Sequence, residues 1–471
     1  MIKRLASDVL VYGASSALAR SVGLLLLPLL TRYLSAEEYG AAELLAVSFV
    51  LANLILPLEV SQAVARFFGE ARGAREREDY AWTAFWFTAA VFAALAVAVL
   101  LAPHAAARAL LGSEEHAAAL RIAVLAMAGQ ALLYVVQGQL RWALQPVALA
   151  VLNVCAAAAS LAAAVVWVAY LRGGLAGYMA AQALAAWGVL PLGIVLASRK
   201  TTFRLRLRLP VLREMLAFSA PLVLSGAAVY ANGYADRWLV KAWLGLDELG
   251  LYAAGYRIAS IVAVALAGFQ LAVSPLIYYH HREPGTPAFV KKAFELFLAV
   301  ALPAVVVIAA LAPELVALLA GAAFAPAAGV VGWLALGIAL MNAYVFAPGL
   351  SLAKLTGRIA ALNLVAGAVN VALAAALLPL IGAAGAALAF LAGAATMAAL
   401  YFRLGQPHYA VPYRGARYLL AIAAAAGLVG VFSLAPLALA WRLALSLAGA
   451  ALLAGMVMER PWSLRSEAAV T

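Results

Sequence analysis

Two arginines inside apolar runs, Arg20 and Arg257, carry the strongest chemical signal in this chain. A guanidinium at membrane depth is costly, so it faces protein or a water-filled cavity rather than lipid. Gly13, Ser16, Arg20 and Gly23 recur at three- and four-residue spacings, which puts them on one stripe of a helix. Arg20 can there orient helices by pairing with a buried acid, or attract an anionic group such as a phosphate. Glu59 is the candidate acid, on a stripe with Ser48, Ala52, Ile55 and Gln62. Its carboxyl could pair, or titrate and so couple proton movement. Arg257, close to Tyr252, Tyr256, Ser260 and Gln270, is the second candidate cation.

A wider polar face lies between them in sequence. Ser225, Val229, Asn232 and Asp236 share one helical stripe, and Gly226, Tyr230, Gly233 and Arg237 share its neighbour. Asp236 and Arg237 can bind substrate or make an interfacial salt bridge, with the arginine stem reaching along apolar surface. Gln130, Tyr134, Gln137 and Arg141 form a similar stripe that can bind substrate or join helices, whereas Asn153 and Asn363 are expected to join helices by hydrogen bonds. Enzymatic chemistry finds no support: His104, His116, His280, His281 and His408 lack metal-ligand spacing, and there is no phosphate loop. Cys155, the only cysteine, can form no internal disulfide and reads as a packing residue. No cofactor is expected, although a coupling ion, H+ or Na+, is compatible with Glu59.

The elements that must position these groups are membrane helices. Of 471 residues 67% are hydrophobic and 11% charged, with mean hydropathy +1.01, so most of the chain faces lipid or other helices. A bilayer core of about 30 Å takes roughly 20 apolar residues per helix. About fourteen windows fit, among them Val9 to Leu30, Ala42 to Val64, Glu214 to Ala235, Leu251 to Tyr278, Tyr418 to Leu434 and Trp441 to Met458. The first is too long for the apolar part of a secretory signal and reads as structure. A barrel would need alternating polarity, which these continuous runs lack.

Placing both termini in the cytoplasm collects most of the 32 Lys and Arg on that side. Only Arg32, Arg108, Arg121, Arg172, Arg237, Lys241 and Arg442 fall outside, and Arg20 and Arg257 within spans. The formal charge of +12 then reflects topology and contact with anionic lipid, not nucleic acid. The densest basic segment, Arg199 to Arg213, lies between the sixth and seventh spans.

An internal repeat divides the chain. Leu34 to Gly40 lies over Leu244 to Gly250, Leu152-Asn153 over Leu362-Asn363, and Gly174 to Gly177 near Gly382 to Gly385. Six spans per copy, an even number, predict parallel repeats about an axis along the membrane normal. The expected organisation is a lobe over 1–198, a basic cytoplasmic linker over 199–213 and a second lobe over 214–403. Residues 404–471 then hold a cytoplasmic loop, a terminal helix pair and a short tail.

The opening from Gly13 through Arg20, Pro28 and Leu30-Thr31-Arg32-Tyr33-Leu34 to Glu37-Glu38-Tyr39-Gly40 resembles the polysaccharide-export flippases. These belong to the multidrug/oligosaccharidyl-lipid/polysaccharide superfamily. The resemblance implies an all-α membrane fold of two six-helix bundles plus a helix pair, in the bacterial cytoplasmic membrane. It implies flipping of a polyprenyl-diphosphate-linked oligosaccharide, such as an O-antigen or capsule unit, by a non-enzymatic transporter that can work beside a polysaccharide polymerase. The expected substrate-binding residues are Arg20, Arg257, Arg237, Asp236, Asn232 and Tyr230, with Glu59 as coupling group or charge partner. A peptidoglycan lipid II flippase and a cation-coupled multidrug exporter are the alternatives within the superfamily. A membrane-embedded polymerase or ligase is a further class, but it would need a larger outer loop than Ala312 to Pro326 provides.

Overall fold

The computed structural model describes residues 23–199, 201–435 and 437–458, and among them only helices, turns and extended connections occur. This follows from the apolar runs: with no water to satisfy the backbone, a chain in lipid pairs its N–H and C=O groups within helices. Twelve helical segments are long and apolar enough to cross a membrane. The expected count of about fourteen is not reached among the described residues, for two reasons. The first expected span lies mostly outside them, leaving α1, Gly23–Tyr33. The 45-residue stretch Leu222–Leu266, interrupted at Gly245 and at Ser260, is counted once although at about 1.5 Å per residue it is longer than one crossing needs.

Contacts divide the chain into two compact units, Met1–Ala253 and Ala254–Thr471. In the first, α2 (Ala36–Ile55) opens with a capping box between Ser35 and Glu38. The single span expected over Ala42 to Val64 is instead broken. Pro57 has no N–H to give to a helix, Leu58 and Glu59 both take positive φ (50° and 54°), and the chain restarts as α3, Val60–Glu70. Then come α4 (Ala74–Leu101), α5 (Pro103–Leu111), α6 (Ala117–Trp142), α7 (Pro146–Ala164), prolonged by a π-helical turn at Val165–Tyr170, and α8 (Gly174–Ser198).

The basic connection that follows is folded onto its own unit. Arg204 pairs with Glu78 and Arg208 with Asp79, the Thr202 N–H donates to Glu78 at 3.0 Å, and Trp86 donates to the Arg204 carbonyl at 2.9 Å. Two of its cations are therefore neutralised by protein carboxylates, where the sequence suggested lipid contact for the whole cluster. Arg206 and Arg213 remain exposed. The connection ends in α9, Leu209–Ser219, packed on α3 and α4.

After a break at Ala220-Pro221 the chain enters α10, Leu222–Ala259, which bends at Gly245, where φ 90° and ψ −176° are not helical. Separate spans over Glu214 to Ala235 and Leu251 to Tyr278 were expected, and the non-helical Gly245 lies in the connection expected between them; further breaks, before Leu222 and at Ser260, fall inside the expected spans.

The second unit holds the end of α10, then α11 (Ile261–His280), α12 (Thr286–Ala310), α13 (Ala312–Leu319), α14 (Ala328–Asn342), α15 (Gly349–Leu352), α16 (Thr356–Ile381), α17 (Ala383–Gly405), α18 (Gly415–Leu434) and α19 (Leu439–Val457). The last two pack on α12. Arg442 holds the connection between α18 and α19 by donating to both Glu314 oxygens, at 3.0 and 2.6 Å, and to the Ala310 carbonyl at 2.7 Å. Tyr418 donates to Glu295 at 2.7 Å.

Left-handed turns recur in the two units. Gly112 and Gly321 (φ 88° and 85°), Leu144 and Lys354 (52° and 57°), and Gly174 and Gly382 (57° and 60°) stand at matching points of the sequence repeat. Unusual backbone conformations in the same order support a duplicated helical unit more strongly than hydropathy does.

Candidate functional site

The polar stripe on α10 is buried against α2. Asp236 and Arg237 expose 0% and 1% of their surface, and Asn232 and Tyr230 are also buried. Arg237 Nε donates to Glu43 Oε1 at 3.0 Å, and its Nη1 donates to Asp236 Oδ1 and to the Gly233 carbonyl, each at 2.9 Å. The Tyr252 hydroxyl donates to the other Asp236 oxygen. One guanidinium is thus seated between two carboxylates, with a phenol turned to one of them. A buried charge tolerates this position only because partners replace its water.

Two turns earlier, the Tyr230 hydroxyl donates to the Val47 carbonyl at 3.1 Å and accepts from Trp238 Nε1 at 2.6 Å. The Tyr234 ring stacks on Tyr230, centroids 5.3 Å apart, and lies 5.3 Å from the Arg237 guanidinium carbon. Further along α10, Gly226 sits over the break between α2 and α3: a methyl there would lie 2.3 Å from Leu54 Cδ1 and 3.0 Å from Glu59 Oε1. The stripe Gly226, Tyr230, Gly233 and Arg237 therefore faces α2 along its length.

The sequence motif at the start of α2 is a structural corner. Glu38 accepts from the Ser35 N–H at 3.1 Å and also from the Leu175 N–H at 3.0 Å, so one carboxylate joins the starts of α2 and α8. Glu37 pairs with His116 at 3.2 Å, and Arg172 lies over the Tyr33 ring at 4.7 Å. At Gly40 the backbone of α10 passes so close that an added Cβ would stand 1.9 Å from the Leu246 carbonyl oxygen. At Gly250 an added Cβ would stand 2.0 Å from that of Ala36.

Of the expected site residues, the structure gathers Asp236, Arg237, Asn232 and Tyr230 on one buried face. Glu59 stands at the helix break, hydrogen-bonded to Gln62. Arg257, half-buried, belongs to the second unit. Arg20, and so its expected pairing with Glu59, lies outside the described residues. Glu43 was not singled out from the sequence; its signal is an acid three residues past Gly40, on the helix face that meets α10. Gln130 lines a cavity of about 70 Å³ between α2, α6 and α8, with Tyr178 and Gln182. Asn153 accepts from Gln137 at 3.1 Å and Asn363 hydrogen-bonds Tyr401, joining helices as expected. Among the described residues no group of His, Cys, Asp and Glu could hold a metal.

Comparison of folds gives a consistent answer. A lipid II flippase, MurJ, in an inward closed conformation superposes with TM-score 0.72 at 13% identity, over 95% of this chain and 98% of that one. An inward-facing multidrug resistance MATE transporter of the MOP superfamily gives 0.65 at 15%, over 83% and 94%. Its outward-facing counterpart gives 0.61 at 15%, over 85% and 95%. The chain therefore has the helical membrane fold found in the MOP superfamily. It belongs to the polysaccharide biosynthesis protein family, whose profile matches residues 29–329. No curated protein matches it.

Proposed function

We propose that the chain flips a polyprenyl-diphosphate-linked oligosaccharide across the bacterial cytoplasmic membrane by alternating access, for surface polysaccharide assembly. The observation that carries this reading is the buried Arg237 network on α2 and α10, in a chain of the polysaccharide biosynthesis family. Arg237 is already compensated by Glu43 and Asp236, so the cations that would meet an anionic diphosphate are Arg20 and Arg257, where a low-dielectric cavity makes such attraction far stronger than in water. Arg20 and Arg257 are the substrate-facing cations of this scheme, and Asp236, Arg237, Asn232 and Tyr230 complete the binding set. Glu59, at a break in a membrane helix, is the coupling group for H+ or Na+; broken helices commonly build such sites. The scheme has fourteen spans, two parallel six-helix lobes (1–198 and 214–403) rocking about the linker, and both termini in the cytoplasm. A polysaccharide polymerase would receive the flipped unit.

Inverted membrane vesicles loaded with labelled lipid-linked sugar test this. Movement to the inner leaflet is expected, with loss on Arg20→Leu or Arg257→Leu; equal movement in both variants would sink the assigned site. Likeness to MurJ, named a lipid II flippase, favours one second reading, that the headgroup is a peptidoglycan precursor. Mass analysis of co-purified lipid separates the two.

A further inference from the structure

Alternating access, on which this inference rests, requires α2 and the first part of α10 to part, and the contacts between them are graded. The two run antiparallel: Gly226 meets Leu54 and Glu59, Tyr230 meets Val47, Arg237 meets Glu43, and Gly250 meets Ala36. At the Gly40–Gly250 end backbone touches backbone, leaving no room for a side chain. Three residues further into α2 lies Glu43, and with it the dry network of Arg237, Asp236 and Tyr252.

Such a network has two favourable states. Closed, each charge is paired, Arg237 and Asp236 are excluded from water and Glu43 is nearly so; open, each is hydrated. Between them, with one partner withdrawn and the others still dry, a buried charge is left uncompensated, which is strongly unfavourable. The contact therefore breaks as a whole or not at all, as a two-state element must. We propose that Glu43, Asp236, Arg237 and Tyr252, with the Gly40–Gly250 crossing, form a latch that holds this end of the transport path closed and releases as one unit. This assigns Glu43 to conformational control and separates Asp236 and Arg237 from direct substrate contact in the closed state.

The test uses Val47→Cys as reporter, in full-length purified protein with Cys155→Ser. Val47 is buried on α2, one turn from Glu43, so its thiol reacts with a maleimide only when the helices part. Slow labelling is expected in the parent protein. Glu43→Gln, which weakens the closed state, should speed it about tenfold, the factor given by a shift of about 1.4 kcal/mol. Tyr252→Phe removes one donor with little change of volume and should speed it by a smaller factor, which guards against misfolding of the first variant. Gly250→Ala, acting by steric clash alone, should also expose the thiol. Labelling unchanged in both Glu43→Gln and Tyr252→Phe overturns the latch. Faster labelling upholds it even if the vesicles show no movement of lipid-linked sugar, in which case only the substrate reading falls.

Discussion

A single side chain can hold a corner of this protein together, and Glu38 is the clearest case. It closes the capping box of α2 and receives the Leu175 N–H at the start of α8. Glu38→Ala should lower stability by about 0.5–2 kcal/mol, the range for loss of a helix-capping interaction, read as a drop in thermal midpoint in detergent. Arg237 is a harsher test. Arg237→Leu leaves the Glu43 and Asp236 carboxylates facing each other without their shared cation, and removal of one partner of a buried pair costs about 3–5 kcal/mol. Adding Glu43→Gln to that variant should recover part of the loss, because one of the stranded charges is then gone. A double variant no more stable than Arg237→Leu would show that the two residues are not coupled.

Among elements, the terminal helix pair and the basic connection are held by ion pairs at their ends. Burial by itself would raise the pKa of Glu314, but hydrogen bonds from Arg442 and from its own N–H, with the guanidinium charge, hold it below the usual carboxylate range. A carboxyl lowered in the folded state contributes its stability above the unfolded pKa and loses it as pH falls through the lowered value. The clamp is therefore complete at neutral pH and weakens below about pH 4. Amide exchange in the last turn of α18 and the first turn of α19 should rise on acidification, and Arg442→Met should remove the pH dependence. The connection behaves similarly. Glu78→Gln removes the carboxylate that receives Arg204 and the Thr202 N–H. Limited tryptic cleavage at Arg204 and Arg206 should then accelerate; an unchanged rate would mean that the hydrophobic contacts of Phe203 with Trp82 and Trp86 suffice.

For the whole molecule, the helical membrane fold is the organising fact. Hydropathy located the terminal pair, α18 and α19, to within a few residues of the expected Tyr418 to Leu434 and Trp441 to Met458, because a backbone in lipid has few alternatives to a helix, but it did not mark the short helix α5. It failed where a helix is interrupted. The bend at Gly245 falls in the connection expected between Ala235 and Leu251, but the break before Val60 lies inside the single span expected over Ala42 to Val64, although Pro57 marks it. It also treated all cations of the linker alike. Which of them meet carboxylates depends on the register between the extended connection and α4, and sequence distance carries no trace of that.

What the sequence determined by itself is the class of the molecule: continuous apolar runs with rare internal charges, set in two weakly similar halves, force a polytopic helical protein with a few residues of high functional weight. Only the tertiary structure decided which charges meet. Asp236 and Arg237 were visible as a polar face, but their principal partner across the helix contact, Glu43, lies 194 residues from Arg237. That pairing exists because Gly40 and Gly250 let two helix backbones approach closely enough for the guanidinium to leave water altogether. Composition can say that a buried cation must be compensated; the crossing of two helices selects the residue that does it.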